Sequence, residues 1–143
     1  MKSIVVDASV AIKWFVPEIH AVEAARWLSS GHPLLAPELL FAEVSNIVWK
    51  KTIRAGLSEA EARSVRRALA KVPLLTISAR ELSEAALDLA LALRCSVYDA
   101  LYVALSIAED ALLVTADRKL YNLISGTPLK QSVCWVEDEP PLS

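Results

Sequence analysis

The chain has 143 residues, 55% of them hydrophobic and 22% charged, a balance that argues against disorder, collagen-like repeats or two full-sized domains. It predicts a single globular domain over residues 1–143 that buries roughly 70% of its unfolded surface. Fifteen Lys and Arg against seventeen Asp and Glu leave a net charge of -2, so there is no global basic field for nucleic acid and any such contact is local.

Ile4 to Val6 is a short β-branched run without polar alternation, the pattern of a strand buried on both faces of a parallel sheet. Asp7 and Lys13 interrupt the opening MKSIVVDASVAIKWFVP where a signal peptide needs its apolar heart. His20 to Ser30 has helical spacing and ends at Gly31, a residue able to close a helix in the left-handed conformation. Leu34 and Leu35 form a fragment of another strand. Pro37 to Arg54 reads as a helix with proline in its first turn and Gly56 beyond its end.

Ser58 with Glu61 and Ser78 with Glu81 are capping boxes that open runs rich in Ala, Leu and Arg, with a strand candidate at Leu74 to Ile77 between them. Ser96 with Asp99 repeats the spacing and opens VYDALYVALSIAED, apolar almost all round and therefore a central helix. Ala111 to Val114 is a second buried strand, Arg118 to Ile124 a short helix, and Val133 to Val136 a last strand. Helices interleaved with short buried strands predict an α/β layered fold with a parallel sheet. No stretch approaches the ~18 apolar residues of a membrane span. Cys95 and Cys134 form no Cys-x-x-Cys pair, which points away from a disulfide framework or zinc knuckle and toward a reducing cytoplasm.

Four acids lie in apolar surroundings: Asp7 in IVVDASV, Glu43 in LLFAEVSNIV, Asp99 in SVYDALYVAL and Asp117 in LLVTADRKL. A lone buried ion costs several kcal/mol, so each needs a partner. Asp7 and Asp117 follow the carboxyl ends of predicted strands, which a parallel sheet brings to the edge where open α/β folds bind ligands. Asp99 sits in a first turn able to face that edge. Glu43, about two turns into its helix and flanked by Leu39, Leu40 and Ile47, projects from the border of the packed face. Plain structural alternatives exist: Asp7 and Asp117 as N-caps, Asp99 as the acid of a capping box. Glu43 is the hardest to account for in this way, because no Lys or Arg stands three or four residues away on its helix to pair with it.

Converging carboxylates need compensation. His20 and His32 lie away from the acids, as surface or boundary residues, and the cysteines do not cluster, so zinc is not indicated. All-oxygen ligands favour Mg²⁺ or Mn²⁺, bound through a few carboxylates together with substrate phosphate. Such a site performs phosphoryl chemistry, with a bound water made acidic by the metal and a remaining carboxylate to orient or deprotonate it.

Taken in order, VVDAS, the early-helix Glu43, VYDALYVALS and LVTADRKLYN resemble the PIN domain, and within it the VapC-type toxin branch, over essentially the whole chain. The resemblance implies a PIN-like three-layer α/β/α fold with a short central parallel sheet flanked by helices. It implies that Asp7, Glu43, Asp99 and Asp117 are the acidic tetrad of a Mg²⁺-dependent endoribonuclease. Asp7 and Asp99 would be the most direct metal ligands, Glu43 and Asp117 would complete the shell partly through water, and Ser9 and Thr115 would hold the acids by hydrogen bonds. It further implies a cytoplasmic homodimer that cleaves structured RNA as the toxin of a toxin-antitoxin pair, neutralised by a cognate antitoxin. Lys119 stands where some relatives carry another acid, so one metal ion or two remains open.

From Val44 to Arg80, eight Lys and Arg face only Glu59 and Glu61, a balance of +6; from Glu81 to Asp117 the balance is -6. The basic stretch offers phosphate contacts or is a solvated helical face. Arg118 and Lys119, beside Asp117, are the stronger substrate-contact candidates. Among the aromatics, Trp14, Phe15, Trp49, Tyr98 and Tyr102 are available to stack bases or line a dimer contact, with a core place favoured for Tyr102 and Trp49. Two other functions compete with the nuclease: a catalytically silent PIN-like module that binds RNA or protein, and a phospho-receiver domain, which lacks the expected acidic pair near Asp7.

Overall fold

Each run predicted as a strand enters one sheet in the computed structural model, which describes residues 1–142. The strands β1 (Ile4–Val6), β2 (Leu34–Pro37), β3 (Leu74–Ile77), β4 (Leu112–Thr115) and β5 (Val133–Trp135) are all parallel, in the order β3-β2-β1-β4-β5. The helices are α1 (Ala8–Ala11), α2 (Ala21–Leu28), α3 (Leu39–Arg54), α4 (Glu59–Ala70), α5 (Ala79–Leu93), α6 (Val97–Ala108) and α7 (Arg118–Ser125), with 3-10 turns at Ile12–Trp14 and Lys130–Ser132.

The pleat of β1 sends alternate side chains into two cores. Val5, in register with Leu35 and Leu113, packs with Val44, Ala86, Leu101 and Leu105. Ile4 and Val6 pack on the other side with Leu34, Val114, Val136 and the fully buried Trp27 of α2. Two apolar layers on a sheet buried on both faces make the three-layer α/β/α architecture. Helix α6 is central as its composition predicts, with Ala100 through Ser106 all buried. Among the described residues no single helix is long and apolar enough to cross a membrane; α5 and α6 meet that test only together, and they are bent by 113°.

Because the strands are parallel, their carboxyl ends share one edge. The chain runs from β1 to β2 and β3 on one side, then returns to place β4 on the other side of β1, so the topology switches direction between β1 and β4. Asp7 directly follows β1 and Asp117 lies two residues beyond β4, which puts both at the crevice such a switch creates.

Several local expectations change. The helix expected from Pro37 starts at Leu39, and Pro37 instead ends β2 in register with Ile77. It lies beyond the end of β1, where a missing N–H leaves no acceptor unpaired, and the next N–H, of Glu38, donates to Ile77 O at 2.9 Å. Glu43 is therefore little more than one turn into α3. The helix expected over His20 to Ser30 is shorter, Ala21–Leu28. Trp49, expected in the core, is 56% exposed because Val44 and Val48 take the buried face of α3. His32 is buried rather than superficial, its ring nitrogens 2.8 Å from Lys2 O and 2.7 Å from Pro141 O. Together with Trp27 Nε1 donating to Val136 O and Arg26 to Glu139, it fastens the segment after β5 against α2.

Candidate active site

Asp7 is both an N-cap and a buried acid. Its Oδ1 accepts from Ser9 Oγ at 2.6 Å and from Val10 N at 3.2 Å, and its Oδ2 accepts from Thr115 Oγ1 at 2.5 Å. Those three donors leave one lone pair on Oδ2. Both hydroxyls also accept backbone donors from the segment after β4: Ala116 N reaches across to Ser9 Oγ at 2.9 Å, and Asp117 N reaches Thr115 Oγ1 at 3.0 Å. The two hydroxyls thus bolt the start of α1 to the end of β4 and fix the separation of Asp7 and Asp117.

Asp117 caps α7 through Oδ1, which accepts from Lys119 N and Leu120 N. Asp99 sits in the first turn of α6, where Ser96 Oγ accepts its N–H at 3.0 Å. Only α4 closes a reciprocal capping box; the boxes expected at α5 and α6 have the serine half alone. The Asp99 carboxylate is therefore not spent on the helix start. Glu43 projects from α3 and accepts from the Tyr102 hydroxyl at 2.5 Å.

These four acids line one cavity of about 280 Å³, together with Ser9, Asn46, Ile47, Lys50 and Tyr102. Their charges act on one another in a chain. Burial and then Asp99 push the Glu43 carboxyl up, and burial and then Asp117 push Asp99 up, with Lys119 opposing. Burial is also the main cause that pushes Asp7 up from 3.8 to about 6; hydrogen bonds from Ser9, Thr115 and Val10 work against it, and Asp117 adds to it. Such mutual repulsion in a half-buried cavity favours a bound cation. The donors fit a hard divalent ion, being carboxylate oxygens without a cysteine or histidine among them.

Wider clefts do not offer this chemistry. The one of about 530 Å³ between α3 and α4 has Arg66 and Arg67 in its wall and no carboxylate. A separate trio, His20, Glu23 and Glu137, brings three possible ligand atoms within 4.8 Å. There the His20 ring has Nδ1 at 3.1 Å from Glu23 and Nε2 at 3.5 Å from Glu137. A metal on one ring nitrogen would leave the carboxylate at the other edge behind, so the trio is a polar clamp between α2 and the segment after β5.

A PIN domain family model matches residues 4–124. The chain belongs to the PIN domain family. A curated relative, Ribonuclease VapC3 of Pyrobaculum aerophilum, is 37% identical over 119 residues, covering 82% of this chain and 91% of that protein. Among solved structures, PAE2754 from Pyrobaculum aerophilum superposes with a TM-score of 0.69 at 24% identity, over 95% of this chain and 85% of its own. VapC20 of Mycobacterium tuberculosis, a toxin that cleaves the sarcin-ricin loop, gives a TM-score of 0.65 at 17% identity, over 96% and 99%. A toxin-antitoxin complex from Klebsiella pneumoniae gives 0.66 at 19% identity, over 91% and 94%. These solved structures share the PIN fold with this chain.

Of the substrate-contact candidates, Arg118 lies with its guanidinium carbon 3.7 Å from the Trp135 ring centroid and 5.6 Å from that of Tyr121, so one of its faces is committed to stacking. Lys119 carries its charge to Asp99. Three cavity residues escaped the sequence reading in this role. Tyr102 is buried as expected, yet its hydroxyl enters the cavity; the signal was its place three residues after Asp99. Asn46 and Lys50 sit three and seven residues after Glu43, the spacing of one helical face.

Proposed function

We propose that this PIN domain is a Mg²⁺-dependent endoribonuclease, the toxin of a toxin-antitoxin pair, and that Asp7, Glu43, Asp99 and Asp117 form its catalytic site. The observation that carries the reading is that four acids from four separate elements line a single cavity at the carboxyl edge of the sheet. The similarity to Ribonuclease VapC3 supports the activity, and the toxin-antitoxin neighbour supports an antitoxin partner.

Asp7, Asp99 and Asp117 would hold Mg²⁺ or Mn²⁺, with Glu43 completing the shell. The ion, when bound, supplies charge stabilisation at phosphorus and makes a coordinated water more acidic. Asp7 would contribute the lone pair of Oδ2 that its hydrogen bonds leave open, with Thr115 holding that oxygen and Ser9 holding Oδ1. Asp117 contributes the oxygen its capping bonds do not use. Glu43, the acid set farthest along a helix from the sheet edge, orients the attacking water or accepts its proton, and Tyr102 holds it in position. Lys119 offsets part of the acidic charge, which favours one ion over two. Arg118, steadied on Trp135, and Lys119 are the phosphate contacts next to Asp117. The reading also carries a cytoplasmic homodimer, for which the exposed Leu87, Leu91 and Tyr98 offer apolar surface.

The test is cleavage of several RNA classes by purified protein in Mg²⁺. Cleavage that stops in excess chelator and in Asp7→Asn and Asp99→Asn supports the proposal; cleavage that persists in both variants overturns it.

A further inference from the structure

Glu43 is not isolated on its helix. Ile47, Lys50 and Arg54 follow it at spacings of four, three and four, so one face of α3 leads out of the acid-lined cavity. Along that face lies a second cavity of about 360 Å³, which shares Ser9, Ile47 and Lys50 with the first. Its floor is Ile12 and Ile47, and its rim carries Lys13, Lys50, Lys51 and Arg54 against a single acid, Glu18.

The rim charges are not equivalent. Glu18 accepts from Lys13 Nζ at 3.2 Å and from Lys51 Nζ, which ties the 3-10 turn to α3 and uses both of those cations. Among the described residues neither Lys50 nor Arg54 has a carboxylate within 4.0 Å. Two exposed cations on an apolar floor, continuous with a site suited to phosphoryl chemistry, have the form of a track for a polyanion. An acidic peptide lying across both cavities would set its carboxylates against Asp7 and Asp99. A nucleic acid strand differs, because its phosphate in the first cavity is matched by the metal and only its neighbouring phosphates need the lysine side.

We propose that this second cleft seats backbone phosphates of the RNA a few nucleotides along the strand from the scissile bond, on Lys50 and Arg54, with ribose or base faces on Ile12 and Ile47. The proposal rests on the nuclease reading above and adds the direction the strand takes, outward along α3. At 1.5 Å per residue, Lys50 and Arg54 stand about 10 and about 16 Å from Glu43 along the helix. A stacked strand rising about 3.4 Å per nucleotide would place them about three and five nucleotides from the cleavage point.

The probes are fluorescein-labelled mixed-sequence oligoribonucleotides of about four and about twelve nucleotides, the first reaching Lys50 but not Arg54 and the second spanning both. Binding is read by anisotropy across a salt series at saturating Mg²⁺ in the full chain carrying Glu43→Gln, which removes the group that orients the water and keeps the metal-binding aspartates. Adding Lys50→Ala and Arg54→Ala is expected to weaken the longer probe about tenfold and to flatten its log-log salt slope by about 1.4, the share of two phosphates on a single strand. The shorter probe, which meets Lys50 but not Arg54, should show no more than half of that slope change and should be unaffected by Arg54→Ala alone. Lys2→Ala with Lys130→Ala, which removes equal charge at the amino edge of the sheet, should change neither. An unchanged slope for the longer probe, or equal loss in the control pair, overturns the track, as does an absence of binding to either probe. Cleavage of the longer probe by the unmodified chain in Mg²⁺ is scored separately: cleavage with no effect of the lysine-arginine pair refutes the track alone, whereas binding without cleavage refutes the nuclease reading.

Discussion

The Tyr102 hydroxyl donates to Glu43 Oε1 at 2.5 Å and so ties α6 to α3 inside the acid-lined cavity, while the ring itself is only 2% exposed. One side chain thereby serves the core and the site. Burial and the nearby Asp99 raise the Glu43 carboxyl, and this hydrogen bond opposes them.

Tyr102→Phe keeps the packing and removes the donor. The Glu43 carboxyl then moves further up, and the acid side of the pH-rate profile for RNA cleavage moves to higher pH. Loss of a hydrogen bond to a charged group, about 1.5–3 kcal/mol, predicts a fall in cleavage rate of about tenfold or more. An unaltered rate and profile would remove Tyr102 from the site.

The metal-free protein should show the strain at Asp7 in its stability. Its carboxyl stands at about 6 in the fold against 3.8 ordinarily, chiefly through burial, so the folded state prefers the neutral form. The stabilisation is full below the unfolded value and is lost as pH rises through about 6. It amounts to about 3 kcal/mol. In chelator, the melting temperature should therefore be higher at about pH 5 than at about pH 8 as far as this group decides. Asp7→Asn should flatten the dependence, leaving the smaller contributions of Glu43 and Asp99, and should melt higher than the parent at the alkaline end. A variant that reproduces the parent's slope would contradict the assignment.

Thr115 offers a further check, because its hydroxyl donates to Asp7 and accepts from Asp117 N. Thr115→Val keeps the shape of a fully buried residue and takes a hydrogen-bond donor from the buried Asp7 carboxylate and an acceptor from Asp117 N. The expected cost is about 1–3 kcal/mol in denaturant unfolding, accompanied by loss of cleavage, while Thr115→Ser retains both. Equal stability of the valine and serine variants would show that the bolt between α1 and β4 carries no load.

The strands and most helix starts were legible because their signals are local: β-branched runs, Ser-x-x-Glu spacings, glycines beyond helix ends. The four acids were legible because charge in apolar sequence demands a partner. What the sequence could not show are relations across the chain. Pro37 satisfies the rule for a helix first turn and equally that for a strand outliving its neighbour, and only the length of β1 decides. His32 is buried because the two ends of the chain meet around it, and Arg118 finds Trp135 only once β5 is in place. Trp49 was misplaced by one step of helical phase, since Val48 already holds the inward position. For the acids, capping and convergence were competing explanations, and the fold joins them: Asp7 and Asp117 are N-caps and also line the cavity.

The most direct measurement is Mn²⁺ binding to the chelator-treated protein, by calorimetry or electron paramagnetic resonance, for the parent and single carboxamide variants. Asp7→Asn and Asp99→Asn should abolish binding, Glu43→Gln and Asp117→Asn should weaken it, and His20→Ala should leave it unchanged. Binding that survives both Asp7→Asn and Asp99→Asn, or that disappears in His20→Ala, would contradict the four-carboxylate site.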